Sequence, residues 1–357
     1  MKAVYEAWGY PIMRYLPDWV TKASIEHMPQ ELLEFYPEQL LLKRIETINH
    51  SISLIAEADK HELDWIDRDK YFTRRKASKF LMDAYRDKEN AGKFTRAWAM
   101  YGTQAMADEV WLTLEEYREQ IIQACNLDCD DPIQERKNIF KKLETIRSHL
   151  NQLQIEKVHM VGEDCDLRVQ LGDNRNRMAW SGRNIPSYEV FASPDRRGTQ
   201  GWMRFDQPLY RYWSLIKDVY LRFEDGLIVE ATAWENEQLL KEMIAQPNAN
   251  KIWEYSLTDS RISRITKFMG ETLYDENRGG EFWNSHIAVG MAYKDAFPWD
   301  SSAVSEEQRE EMWYNDSVIH TDIVSTTNRT VDAYCKDWSI QRIYENWMFT
   351  FLDNDEE

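Results

Sequence analysis

Along "DPIQERKNIFKKLETIRSHLNQL", residues 131–153, apolar side chains return at Ile139, Leu143, Ile146, Leu150 and Leu153. Steps of four, three, four and three bring them to one face of an α-helix. Asp131 is placed to cap that helix, and Pro132 suits its first turn because a proline lacks only an N–H that would be unpaired there anyway. "PEQLLLKRIETIN" carries a similar apolar stripe, and "LTLEEYREQIIQAC" offers Thr113 as a cap with Glu115 and Glu116 behind it. Between these helices "SISLIAEA" is a short apolar run suited to a parallel strand. Past residue 155 the texture changes to short strands and turns: "KVHMVG", "DLRVQLG", "RMAWSG". "LIKDVYLRFEDGLIVEATA" predicts a hairpin turning at Asp225-Gly226. The pattern divides the chain into an N-terminal α/β domain, residues 1–154, and a C-terminal mixed, sheet-rich α/β domain, residues 155–357. Only the terminal "DNDEE" reads as disordered.

Side-chain alternation has a consequence near the end of the chain. In "YNDSVIHTDIVST", a strand through Val318, Ile319, Ile323 and Val324 turns His320 and Asp322 to the same side. Two glutamates, Glu189 in "NIPSYEVFASP" and Glu254 in "KIWEYSL", sit among apolar neighbours, where a carboxylate must be paired, solvated or coordinated. "NSHIAVGMAY" predicts a helix capped by Asn284 or Ser285, with His286 and Tyr293 on one face two turns apart. Each residue alone has an ordinary structural explanation. Together two Glu, two His, one Asp and a phenol suit two divalent ions sharing a carboxylate.

Bulk properties narrow the field. A net charge of −18 over 357 residues repels phosphate backbones and argues against nucleic acid as a partner. "TRRK" at 73–76 is the densest basic cluster and reads as a solvated helix face. No stretch approaches the roughly 18 apolar residues of a membrane-spanning helix, so no membrane partner is expected. "MKAVYEAWGYP" lacks the apolar run of a secretory signal. Cys125, Cys129, Cys165 and Cys335 are too scattered for a disulfide framework and read as reduced thiols of a cytoplasmic protein.

The second half resembles the aminopeptidase T family of metallopeptidases. The resemblance is carried by "GRNIPSYEVFASP", the glutamate of "ANKIWEYSL", "TLYDEN" followed by "SHIAVGMAY", and "NDSVIHTDIV". Upstream, "GTQAMADEVWLTLEEYREQIIQACNLDCDDP" and "DCDLRV" extend it over about residues 95–335. It implies Glu189, Glu254, His286, His320 and Asp322 as metal ligands, with Tyr293 reaching the site. Glu254 is matched to the ligand position, ahead of Glu271 and Glu276, because "TLYDEN" corresponds to a later family motif. Glu276 is expected to hold the loop or a ligand. The resemblance further implies a C-terminal domain with a largely antiparallel sheet and two ions (zinc, cobalt, manganese or magnesium). A homodimer that trims peptides from their N-termini follows from it as well. Glu254 is a candidate for moving protons, and Tyr293 for hydrogen bonding to the oxyanion or for ligating a metal. Hydrolysis of another substrate, or an inactive metal-site homologue, are the alternatives.

Two departures stand out. Family members carry a strand and helix ahead of the position where this chain begins, so the N-terminal domain is expected to lack them, as a start assigned too far downstream would explain. Tryptophan also stands where the family has glycine, at Trp111, Trp213, Trp253, Trp283, Trp313 and Trp338, in a chain with 15 Trp and only 13 Gly. Indole is a poor replacement wherever the backbone needs positive φ or close approach. UGA codons read as glycine in the source organism would account for both the excess and the deficit. Trp98 and Trp180 sit in contexts that suit tryptophan.

Overall fold

Thr113 and Asp131 cap the helices Leu114–Ala124 and Pro132–Gln152, as their sequences predict. Thr113 and Glu116 complete a reciprocal capping box that satisfies two otherwise orphaned N–H groups. In this computed structural model the described residues are 2–15, 17–173, 175–179, 182–279, 284–292, 296–297 and 304–352. The helix Glu38–Thr47 precedes the strand His50–Ile55, which pairs in parallel with Thr95–Met100. A short return from the second half, Asn184–Ile185, adds a third parallel strand. "TRRK" lies on the helix Arg68–Ala77, but Arg74 does more than face solvent. Its guanidinium donates to the carbonyls of Leu32, Leu33 and Phe35, which satisfies the end of a neighbouring helix.

From Ile155 onward the chain builds a two-stranded hairpin, Leu209–Arg211 with Ser214–Ile216, and two large antiparallel sheets. One has eight strands, with Val219–Glu224 and Leu227–Thr232 meeting at the predicted Asp225-Gly226 turn. The other has five, in the spatial order His320–Ser325, Asn284–Gly290, Ile252–Thr258, Glu189–Ala192, Met178–Ala179. A single cluster of buried side chains includes the helix face Ile139, Leu143, Ile146 and Leu150, and continues through both sheets to Phe349. The architecture is therefore mixed α/β with largely antiparallel sheets.

The helix Leu114–Ala124 also reaches across to the loop leading into residues 269–276. Gln120 donates to the Arg264 carbonyl, and its side-chain oxygen accepts from Thr266 and Lys267. Tyr117 donates to the Met269 carbonyl at 2.9 Å. Among the described residues no helix is long and apolar enough to cross a membrane, and all four cysteines are unpaired.

Candidate metal centre

The five-stranded sheet positions the predicted donors by register. Ile252–Thr258 and Asn284–Gly290 are buried along their whole lengths. His286 therefore lies on a strand, not on the helix that its cap and apolar run predict. A continuous apolar stretch has no period to separate a helix from a strand covered on both faces, and the two flanking strands decide the matter here. The seven-residue helical relation of His286 to Tyr293 falls with it. Tyr293 and Trp283 lie outside the described residues.

Cross-strand partners share a face. Glu254 faces Ala288, which faces Asp322 on the next strand. His286 is paired with Ser256, Glu189 with Thr258, and His320 with Gly290. Ala288 is small and packs in a buried cluster with Trp253, Ala292 and Tyr314. Gly290 is required by its backbone: at φ +109° an added Cβ would lie 2.1 Å from the Ile319 carbonyl oxygen.

Glu189, Glu254 and His286 converge, each offering a donor atom within 4.8 Å of the other two. His286 Nε2 is 3.2 Å from both Glu189 Oε2 and Glu254 Oε1. Nδ1 lies 3.1 Å from the Glu276 carbonyl oxygen, which only accepts, so Nδ1 is the protonated nitrogen in this contact. That fixes the ring with Nε2 toward the carboxylates, the usual arrangement for a ligating imidazole. Ser256 donates to Glu189 Oε2 at 3.0 Å and holds that carboxylate in place. One strand further, His320 Nε2 and Asp322 Oδ2 are 3.2 Å apart on the same side, as the alternation predicts. The Trp253 ring packs against His320, centroids 4.4 Å apart.

The electrostatics are those of a cluster short of positive charge. Glu189, Glu254, Glu276 and Asp322 are all buried, and among the described residues the ion-pair partner of Glu189 and Glu254 is His286 alone. Burial, reinforced by Glu189 and Asp322, pushes the Glu254 carboxyl well above its ordinary 4.5 against the opposing pull of His286. Burial and then repulsion from Asp322 and Glu189 do the same to Glu276. Burial disfavours the charged form of His286, yet hydrogen bonds to Glu189 and Glu254 hold its imidazolium well above 6.5. Burial also opposes ionisation of Asp322, but His320 wins and lowers it to about 2. Carboxylates that gather protons for want of a counterion form a donor set that a divalent cation would complete.

Glu276 is the residue that position along the chain undervalues. Its carbonyl orients His286, Asn184 and Asn277 donate to its carboxylate, and its charge feels every acid of the cluster. The expectation that it holds the loop or a ligand agrees with the contact of its carbonyl to the His286 imidazole. Glu271 sits apart, its carboxylate 3.8 Å from Lys60 Nζ.

Fold and donor set together define a protein of the divalent-metal class. Residues 1–349 match the thermophilic metalloprotease (M29) family, and the chain belongs to it. It is 26% identical to "Aminopeptidase AmpS" of Bacillus subtilis (strain 168), over 94% of this chain and 85% of that protein. It is 25% identical to "Aminopeptidase 2" of Geobacillus stearothermophilus, over 98% of this chain and 87% of that one. Among solved structures, wild-type AmpT from Thermus thermophilus shares the fold with a TM-score of 0.80 at 21% identity, covering 98% of this chain and 89% of the other.

Proposed function

We propose that the chain is an aminopeptidase that releases N-terminal residues from peptides. In this reading two divalent cations (zinc, cobalt, manganese or magnesium) are held by Glu189, Glu254, His286, His320 and Asp322. The observation that carries it is the buried convergence of Glu189, Glu254 and His286 beside the His320–Asp322 pair, in a metalloprotease-family chain with relatives named aminopeptidases. Bound cations would supply an acidified water and polarisation of the scissile carbonyl. The protein's own groups do the rest. Glu254, ionised beside the cations, would take a proton from water and return it to the departing amine. Ser256 and the Glu276 carbonyl keep Glu189 and His286 aimed during that transfer. The surplus of carboxylates suits the free α-ammonium of a peptide N-terminus. Tyr293 is assigned a hydrogen bond to the tetrahedral oxyanion or to a ligand. The chain works as a homodimer in the cytoplasm, a setting in which four unpaired thiols are stable.

Metal content of the purified protein, measured beside hydrolysis of leucine amide and of a phosphate ester, tests this reading. Two ions per chain and amide cleavage are expected, with His320→Ala losing both metal and rate. Full metal occupancy with cleavage of the phosphate ester alone would overturn it.

A further inference from the structure

Of the 15 tryptophans, 12 lie among the described residues, the exceptions being Trp180, Trp283 and Trp299. Seven of the 12 occupy the left-handed region: Trp8 (φ 59°), Trp65 (67°), Trp111 (55°), Trp213 (59°), Trp313 (63°), Trp338 (68°) and Trp347 (63°). Only a few per cent of non-glycine residues adopt this conformation, and those are mainly Asn, Asp and His. Bulky rings as such are not responsible. Among all described Phe and Tyr, Tyr212 alone has positive φ.

The turns around these residues say what belongs there. Trp111 follows the helix Gln104–Glu109, where its N–H bonds the Asp108 carbonyl and Leu112 N–H bonds that of Ala107. This is the Schellman end of a helix, whose left-handed position is glycine's by preference. Trp8 and Trp313 stand in the same place, with Gly9 bonding Val4 and Tyr314 bonding Arg309. Gly92 fills the equivalent position after Lys79–Asn90, with Lys93 bonding Lys88. Two-residue hairpin loops repeat the lesson. Tyr212-Trp213, Asn346-Trp347 and Asp225-Gly226 each have positive φ at both residues, and that turn favours glycine second. Trp338 turns between Arg329–Cys335 and Ile340–Glu345. Nor does packing explain three of the indoles: Trp8, Trp65 and Trp338 are 98%, 100% and 93% exposed.

Trp253 differs in backbone and surroundings but sits at a β-bulge, where glycine is common. It is the extra residue where the register between Ile252–Thr258 and Asn284–Gly290 shifts, and its ring is fully buried against His320. Trp98, by contrast, is an ordinary strand residue outside the left-handed region.

We propose that glycine is the native residue at Trp8, Trp65, Trp111, Trp213, Trp253, Trp313, Trp338 and Trp347, each encoded by a UGA codon that the source organism reads as glycine. Exchanging these eight leaves 7 tryptophans and 21 glycines in 357 residues, near the roughly 7% glycine of ordinary proteins. At position 253 the exchange also opens the space over His320, beside the metal donors. That part rests on the aminopeptidase reading: the vacated volume is where a substrate side chain would enter.

The gene and the native protein test the proposal directly. UGA is expected at all eight positions, with glycine in the corresponding peptides by mass spectrometry of protein from the source cells; UGG codons there would overturn it. Two synthetic forms extend the test, one with tryptophan throughout and one with the seven left-handed positions changed to glycine. The glycine form is expected to unfold roughly 10 °C higher, and an unchanged midpoint would refute the turn argument. Adding Trp253→Gly to that form is expected to raise leucine-amide hydrolysis at least several-fold. No gain in a metal-loaded, hydrolytic protein refutes the pocket assignment. A protein that takes up metal but never cleaves the amide refutes the aminopeptidase reading and leaves the codon result standing.

Discussion

Glu271 gives the sharpest handle on the stability of this fold. Its carboxylate lies 3.8 Å from the buried Lys60 Nζ, which is itself 2.6 Å from Glu57 and donates to the Gly270 carbonyl. Burial raises the Glu271 carboxyl from 4.5 to about 7, Lys60 opposing and Glu57 and Asp275 reinforcing the rise. Between those values the unfolded chain has released a proton that the folded chain still holds, so unfolding releases a proton and stability falls as pH rises. The contribution is complete below pH 4.5 and gone once pH passes about 7. At about 1.4 kcal/mol per pH unit the loss amounts to about 3 kcal/mol. Glu271→Gln keeps the shape and removes the titration, while Lys60 keeps Glu57. Urea unfolding of both proteins at intervals from pH 5 to pH 8 measures the gap. The variant is expected to match the parent near pH 5 and to exceed it by up to about 3 kcal/mol at pH 8. Parallel curves, with no gap opening across that range, would refute the argument.

Three further outcomes follow from local structure. Thr113→Ala removes the reciprocal cap of Leu114–Ala124 and is expected to cost about 1 kcal/mol in urea unfolding, with Thr113→Ser recovering most of it. Leu143→Ala hollows a fully buried site in the shared core and is expected to cost about 2–5 kcal/mol. Stripping the protein with a chelator is expected to lower its unfolding temperature, and returning a divalent cation at about 1,000 times its dissociation constant restores about 4 kcal/mol; thermal scans with and without added metal check this.

Features set by neighbours in sequence were legible there. The caps Thr113 and Asp131, the Asp225-Gly226 hairpin and the parallel strand at residues 50–55 each depend on a few adjacent residues, and the structure has all four. The shared face of His320 and Asp322 follows from strand alternation alone. The sequence around His286 reads as helical because a strand buried on both sides shows no periodicity; only its partners on either flank distinguish it from a helix. Glu276 is legible in the sequence only through the "TLYDEN" resemblance. Its importance comes from a loop that brings it to His286 ten residues on and to Asn184 ninety-two residues back. The left-handed tryptophans were partly visible: Trp111, Trp213, Trp313 and Trp338 were singled out by context, while Trp8, Trp65 and Trp347 needed the backbone angles.

The bridge from Tyr117 and Gln120 to residues 264–269 sets a limit on how the chain can be divided. Those two side chains brace the approach to the segment that ends in Glu276, and Glu276 in turn steers the imidazole of His286. A fragment starting at Ile155 would inherit every proposed donor atom yet lose the clamp that aims one of them. Residues 1–154 supply none of the proposed donors and still help decide the angle at which one is presented.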